Sequence, residues 1–419
     1  MKLSRRAVMA TGLGAALGGA IGCTPQNGGT GGGNSGPITL KWWDNQQSES
    51  GLSEYQQAAV AQFTEAHPDI KVEVTTVPYD QYQQRLQLAV QGGDAPDVAT
   101  VDQIWTAGLA AGESILPLDD MIGETKISHD SFFPGAWESA LVDGKLFGVP
   151  FNVDVWQFTY ANKKLLADAG VELEALTNWS GLTELGEAMA SSQVAPIGLF
   201  GSNYESTVCV MDSFIYSNGG SILDDQGRSA LHQPAAVEAL RFLHSLVPFA
   251  PDGVLNNTNE KIRELFLNQT VATEWWPALE QPTLADSDLD WDFVAGSAPD
   301  GQTPIGTYGG WNLALFASDD DARKEAAMTF IDFLVSPEVN GKVVDLIPGN
   351  VAAAESFLQE NRLNPEVIMT HLENARPRPL SPKYLDVSLI QQEMFQKILN
   401  GTEVQAAADE ASQRIDGLA

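Results

Sequence analysis

Basic side chains are scarce in this chain of 419 residues: 23 Lys and Arg stand against 55 Asp and Glu, a formal net charge of −32. No surplus of cations is left to neutralise phosphates, which excludes nucleic acid as a general partner, and broad docking on anionic lipid with it. Histidine is also rare, and His67, His129, His232, His244 and His371 are scattered without metal-ligand or triad spacing. Only two cysteines occur, Cys23 and Cys209, so at most one intrachain disulfide could form. Beyond the N-terminal region no apolar run approaches the roughly 18 residues that mark a membrane-spanning helix. Charged residues make up 19% of the chain and hydrophobic ones 43%, against about 25% charged in an ordinary soluble protein. That balance excludes a disordered chain, and the length corresponds to two or three domains at roughly 100–200 residues each.

What the chain does have begins at its N-terminus. Lys2, Arg5 and Arg6 precede an uncharged apolar run from Ala7 to Ile21, the layout of a signal peptide. Ser4-Arg5-Arg6 resembles the start of a twin-arginine export signal. Ala20-Ile21-Gly22-Cys23 resembles a bacterial lipobox, in which the cysteine is acylated and becomes the mature N-terminus. Residues 1–22 are therefore expected to be a signal peptide, and 23–36 a lipidated Cys23 with a flexible Gly-, Asn- and Ser-rich tether. Loss of residues 1–22 removes three positive charges and leaves a mature charge near −35. Acylation of Cys23 would leave Cys209 alone, in the apolar run Val208-Cys-Val-Met211, where a core role is expected.

The remaining chain reads as α/β. Ile38 to Trp43, Ile70 to Val77 and Asp97 to Val101 are predicted strands, separated by predicted helices Leu52 to Ala66 and Tyr79 to Val90. This order implies a parallel sheet with helices on its faces. Lys145 to Asn152 and Asp154 to Ala161 read as two strands with a bend at Pro150 to Val153. Asn162 caps a helix closed by Gly170. Further helices are predicted over 182–191, 234–246 and 259–267, and strands over 271–276, 291–295 and 310–316. From Asp320 onward the pattern is almost wholly helical.

Several segments together resemble a known family. They are Ile38-Thr-Leu-Lys-Trp-Trp43, Gly92-Gly-Asp-Ala-Pro-Asp-Val98, Gly144-Lys-Leu-Phe-Gly-Val-Pro150 and Tyr160-Ala-Asn-Lys163. Gly309-Gly-Trp-Asn-Leu313 and Ser336-Pro-Glu338 follow. In this order, behind a lipobox, the chain resembles the extracellular solute-binding proteins of bacterial ABC importers, in the family dominated by sugar binders. The resemblance implies a two-lobe periplasmic-binding-protein-like fold with a hinge and an inter-lobe cleft. The expected first lobe is 37–150 plus about 310–350, and the expected second, more helical lobe is 151–309 plus about 351–419. The hinge is placed near Val149 to Asp154, with a second crossing near Tyr308 to Asn312. No cofactor or metal and no enzymatic activity is implied. The expected partners are a mono- or oligosaccharide, ABC permease subunits and, through the anchor, the outer face of the cell membrane, with the protein a monomer.

A polyol needs planar polar groups that engage adjacent hydroxyls, and flat aromatic surfaces for its C–H faces. Such sites lie past the carboxyl ends of parallel strands and between domains. Trp42, Trp43, Asp44 and Asn45 end the first predicted strand, and Tyr79, Asp80 and Tyr82 follow the second. Asp102, Gln103 and Trp105 follow the third. From these positions and the family pattern, the candidate ligand contacts are Trp43, Asp44, Tyr79, Asp102, Asn152, Asp154, Trp275, Trp276, Gly310, Trp311 and Arg378. Arg378 lies between prolines in Arg376-Pro-Arg-Pro379, and Tyr204 is a lesser candidate. With 55 carboxylates, acid pairs arise by chance and do not argue for a glycosidase. The alternating Asp286, Asp288, Asp290 and Asp292 carry Trp291 and Ser297 where a calcium loop needs Gly and Glu. A secreted carbohydrate-active enzyme and a receptor for a peptide or polyamine are the alternatives.

Overall fold

A computed structural model describes residues 37–45, 54–344 and 346–418, without the side chains of Tyr79 and Asp80. Cys23, the signal peptide and the tether lie outside the described residues. The chain from Pro37 onward forms one compact unit built on two principal sheets.

The first sheet has six strands in the order β11-β6-β10-β3-β1-β2. It opens with β1 (Ile38–Asp44), β2 (Ile70–Thr76) and β3 (Val98–Asp102), which are mutually parallel as the βαβαβ pattern predicts. β2 alternates half-buried and exposed residues, as an edge strand does, while β3 is buried along its whole length at the centre. Asp97, in the Asp-Ala-Pro-Asp-Val segment, accepts the Lys41 amide at 2.7 Å and pairs with Arg323 of the helix Asp321–Leu334. That carboxylate fastens the start of β3 to β1 and to a helix contributed more than 200 residues later. A small hairpin, β4 (Leu141–Val142) and β5 (Lys145–Leu146), leads into β6 (Val149–Val155). The second sheet has β7 (Phe158–Asn162) between β8 (Thr273–Trp276) and β9 (Trp291–Val294), all antiparallel. The chain then returns through β10 (Tyr308–Leu315), antiparallel to both β3 and β6, and ends the first sheet with β11 (Ile347–Pro348).

The bend expected at Pro150 to Val153 falls elsewhere. β6 runs straight through these residues, and the turn lies at Trp156 and Gln157, the latter with φ of 76°. Pro150 is tolerated because the register shifts between Trp311 and Asn312, which skips Phe151 and leaves a bulge. The Phe151 carbonyl is satisfied from outside the ladder, by the Asn340 amide at 2.8 Å and the Gly349 N–H at 3.0 Å. The helices Val351–Asn361 and Pro365–Asn374, expected with the second lobe, bring Ala354, Leu358, Ile368 and Leu372 into one core with residues of both sheets, Val153, Val155 and Tyr308 of the first and Phe158, Trp276 and Phe293 of the second. The chain crosses to the second lobe for the last time at Arg376, bridged to Thr307. The helices Tyr384–Leu399 and Val404–Asp416 then pack with Glu205–Ser217 and Pro234–Ser245 in the second lobe.

His371 sits where the crossings meet. It is fully enclosed: Nε2 lies 3.3 Å from the Trp156 carbonyl, the ring packs 4.9 Å from Phe158, and a Cβ on Gly306 would come within 2.6 Å of Nε2. Burial pushes its imidazole down to about 4 from the usual 6.5, against the Trp156 carbonyl, which favours the charged form. The unfolded chain takes up this proton first as pH falls, so the stabilising contribution is full above 6.5 and is lost between 6.5 and about 4. His371→Gln is expected to flatten that part of the pH profile of unfolding free energy by on the order of 3 kcal/mol relative to the wild type. Denaturant titrations at several pH values measure it; parallel profiles would show that the proton linkage lies elsewhere.

Candidate functional site

β1 and β3 are parallel and stop at the same edge of the first sheet, so the residues that end them become neighbours. These are Asp44 at the end of β1 with Asn45 after it, and Asp102 at the end of β3 with Gln103 after it, all buried. Because β10 is antiparallel to β3, its register sets Trp311 opposite Asp102. The same residue faces Asn152 of β6 on its other side. Asp44, Asp102, Asn152, Gly310 and Trp311, read from the sequence as candidates, therefore share one edge. Trp43 is half-buried beside them, and its carbonyl accepts the Tyr82 hydroxyl at 3.1 Å.

Flat surface and polar edge meet here. Trp105 and Trp311 lie 5.7 Å apart at 78°, and Tyr82 stacks on Trp105 at 6.1 Å. Beside this aromatic wall stand planar amides with nothing to bond. Both side-chain atoms of Asn45, both of Gln103 and Oδ1 of Asn152 are buried without a protein partner. Buried polar groups are satisfied in the great majority of cases, since each orphan costs on the order of 1–3 kcal/mol. Asp44 accepts from Gln56 at 2.7 Å, and Asp102 caps the helix Gln103–Ala111 by accepting the Ile104 amide at 3.2 Å.

Arg378 closes the edge from the other side. It is buried, and its guanidinium donates from Nη2 to Asp102 at 3.2 Å and from Nη1 to Glu205 at 2.8 Å. Glu205 begins the second-lobe helix Glu205–Ser217 and also accepts the Tyr384 hydroxyl and, at 2.5 Å, the Ser388 hydroxyl. The Arg378 backbone is fixed by prolines on both sides, and Tyr216 donates to the Pro377 carbonyl at 3.1 Å. Burial raises the Asp102 carboxyl to about 6, although the Arg378 guanidinium and the Ile104 amide both favour its charged form. Asp102 on the first lobe and Glu205 on the second are thus joined through one cation.

The other candidates are placed differently. Trp276 lies on the β8 face toward the crossings, with the Arg263 guanidinium 4.0 Å over its ring and Trp156 at 6.0 Å. Its indole nitrogen is buried without a partner. Trp275 points to the opposite face, as alternation along a strand requires, and packs 5.2 Å from Phe214 inside the second-lobe core. Asp154 spends both carboxylate oxygens on the backbone, accepting the amides of Val155, Ala278 and Leu279 at 2.7, 3.1 and 3.0 Å. It is a strut between β6 and the turn after β8. Tyr79 has its side chain outside the described part. Tyr204 is 48% exposed beside Glu205, and Cys209 is buried in the second-lobe helix. Among the described residues no group of three or more His, Cys, Asp or Glu side chains is placed to hold a metal ion.

Glu205 and Arg263 were not candidates in the sequence. Asn45 and Gln103 were seen at strand ends, and the signal that could have selected them is their position immediately after Asp44 and Asp102. The chemistry offered is that of a receptor for hydroxyl groups: orphan amides, two carboxylates and indole rings.

Gly310 has φ of 125°, and a Cβ there would lie 2.3 Å from the Asn152 carbonyl oxygen. A Cβ on Gly309 would meet only Trp156, at an ordinary 3.5 Å. Gly310→Ala is therefore expected to cost about 2–4 kcal/mol of stability and Gly309→Ala about 1 kcal/mol or less. Urea denaturation of the two variants measures the difference, and equal losses would remove the requirement for glycine at this edge.

The sequence matches the family of bacterial extracellular solute-binding proteins over residues 45–341. A diacetylchitobiose binding protein of Streptomyces coelicolor is 26% identical over 317 residues, 73% of this chain and 72% of that protein. The cyclic alpha-maltosyl-1,6-maltose binding protein of Arthrobacter globiformis has a similar structure, with a TM-score of 0.80 at 19% identity, covering 91% of this chain and 99% of that one. UgpB of Mycobacterium tuberculosis, determined in complex with glycerophosphocholine, has a TM-score of 0.74 at 20% identity over 92% of this chain and 98% of that one. A match to the family over more than half of the sequence settles it: the chain belongs to the bacterial extracellular solute-binding proteins.

Proposed function

We propose that this protein is an extracytoplasmic receptor that binds a mono- or oligosaccharide between its lobes and delivers it to an ABC permease. In this reading it is a monomer, held at the membrane by an acyl chain on Cys23. The observation that carries the reading is the set of unpartnered amides on Asn45, Gln103 and Asn152 beside the indoles of Trp105 and Trp311. Amides provide donors and acceptors in fixed planes, which neighbouring hydroxyls satisfy in pairs, and indole faces take the C–H side of a pyranose. Trp43, Asp44, Asp102, Gly310, Trp311 and Arg378 belong to the same proposed site. Tyr79 is retained in it from sequence, and Trp276 with Arg263 forms its second-lobe wall. Ligand contact with both lobes would favour the closed arrangement, which the permease reads.

A thermal-shift panel of neutral saccharides, oligopeptides and polyamines, followed by calorimetry, tests this directly. At least one saccharide is expected to raise the melting temperature, and Asp102→Ala and Asn152→Ala each to weaken its binding by at least about tenfold. Stabilisation by peptides or polyamines with no response to sugars would overturn the saccharide reading. For the anchor, Cys23→Ser is expected to move the protein from the membrane fraction to the soluble extracytoplasmic fraction. Unchanged membrane retention would assign the attachment to something else.

A further inference from the structure

We infer that Glu205 is a positioning residue that makes the cleft selective against acidic saccharides, by pairing with Arg378 so that its positive charge is already balanced when a ligand arrives. The inference rests on the saccharide reading above and adds a residue and a charge class to it. A buried arginine in a ligand site is ordinarily the group that captures a carboxylate or phosphate, by a forked pair of N–H donors. Arg378 has the position for that role, since it is buried next to the orphan amides of the first-lobe edge. Its two terminal nitrogens are already committed, one to Asp102 and one to Glu205.

Glu205 is itself fixed. The Tyr384 and Ser388 hydroxyls donate to its two oxygens from the helix Tyr384–Leu399, so the carboxylate does not swing away to release the arginine. The prolines at 377 and 379 hold the other end of the pair. One cation faces two carboxylates, an excess of negative charge before Asp44 is considered. Asp212, buried next to this group, accepts the Gln391 amide at 2.6 Å, and burial raises its carboxyl well above the ordinary range. The other arginines nearby are engaged as well. Arg263 covers Trp276 and lies 3.0 Å from the Glu280 carboxylate, and Arg376 lies over the Tyr216 ring.

A uronate entering this site would bring a further negative charge into a desolvated, already negative cluster. The Arg378 charge that would offset it is already balanced by Asp102 and Glu205, so its unpartnered Nε–H offers a hydrogen bond without a net positive field. A neutral hydroxyl brings no charge into the cluster and can accept that N–H. The fold alone does not impose this choice, so it has to come from side chains such as Glu205.

Paired probes separate the outcomes: glucose and glucuronate, galactose and galacturonate, and α-1,4-galactotriose and trigalacturonate, each measured by calorimetry alongside the saccharide found in the panel. The wild type is expected to bind the neutral member of a pair at least about tenfold more tightly than its acidic counterpart. Glu205→Gln keeps an oxygen acceptor for Arg378 but removes the charge, and is expected to improve the acidic-to-neutral affinity ratio at least about tenfold. Glu205→Asp keeps the charge and is expected to retain the exclusion. A wild type that binds uronates as well as neutral sugars overturns the inference while leaving the saccharide reading intact, and needs no variant. An equal loss for both ligand classes in Glu205→Gln reduces Glu205 to a structural part and also overturns it. If no saccharide of either charge binds and another solute does, it is the saccharide reading that falls.

Discussion

The hydrogen bonds that seat β10 between β3 and β6 decide what the rest of this molecule can do. This strand comes from late in the sequence, after the whole second sheet has been made, and it inserts antiparallel between two strands, β3 and β6, that were laid down before residue 156. Without that ladder Trp311 would not stand between Asp102 and Asn152, and the polar edge would be two disconnected strand ends. The ladder in turn depends on local exceptions: a bulge at Phe151 that accommodates Pro150, and a glycine at 310 where the Asn152 carbonyl leaves no room for a side chain. The second lobe is tied to the same strand, since Tyr308 at its start receives the last crossing through the Arg376 carbonyl.

Much of this was legible from the residues. The alternation of β2, the buried run of β3 and the helix between them gave the parallel opening of the sheet, and parallel strands carry their binding residues at their carboxyl ends. That rule brought Asp44 and Asp102 together, and Trp311 joined them through the family pattern. The bend expected at Pro150 to Val153 becomes a bulge at Phe151 instead, because the partner strand β10 that sets the register lies about 160 residues later and leaves no local signal. Trp275 and Trp276 are adjacent and only one can face the crossings; alternation separates them, but which face is the interior depends on Phe214.

The helix Glu205–Ser217 was missed for a different reason. Its residues from Ser206 to Ser217 are all buried, so it has no polar face and no 3.6-residue pattern to detect. Glu205 went with it. The partners of Glu205 lie at 378, 384 and 388, and those of Asp154 at 278 and 279. Such long-range pairs are fixed by tertiary packing and leave no trace in local spacing. A buried carboxylate read only from sequence is one acid among 55, and what distinguishes it is the set of donors that the fold assembles around it.

The three crossings around His371 have a mechanical meaning. Two bodies joined by one strand can swivel, and joined by two they can still shear; a third connection, packed against the same imidazole with no space for a Cβ at Gly306, removes most of both freedoms. The connections are hydrogen-bonded to one another there, the Trp156 amide to the Thr307 carbonyl and the Arg376 amide to the Gly306 carbonyl, both at 3.0 Å. Arg378 stands two residues beyond that join, where one guanidinium reaches a carboxylate on either side.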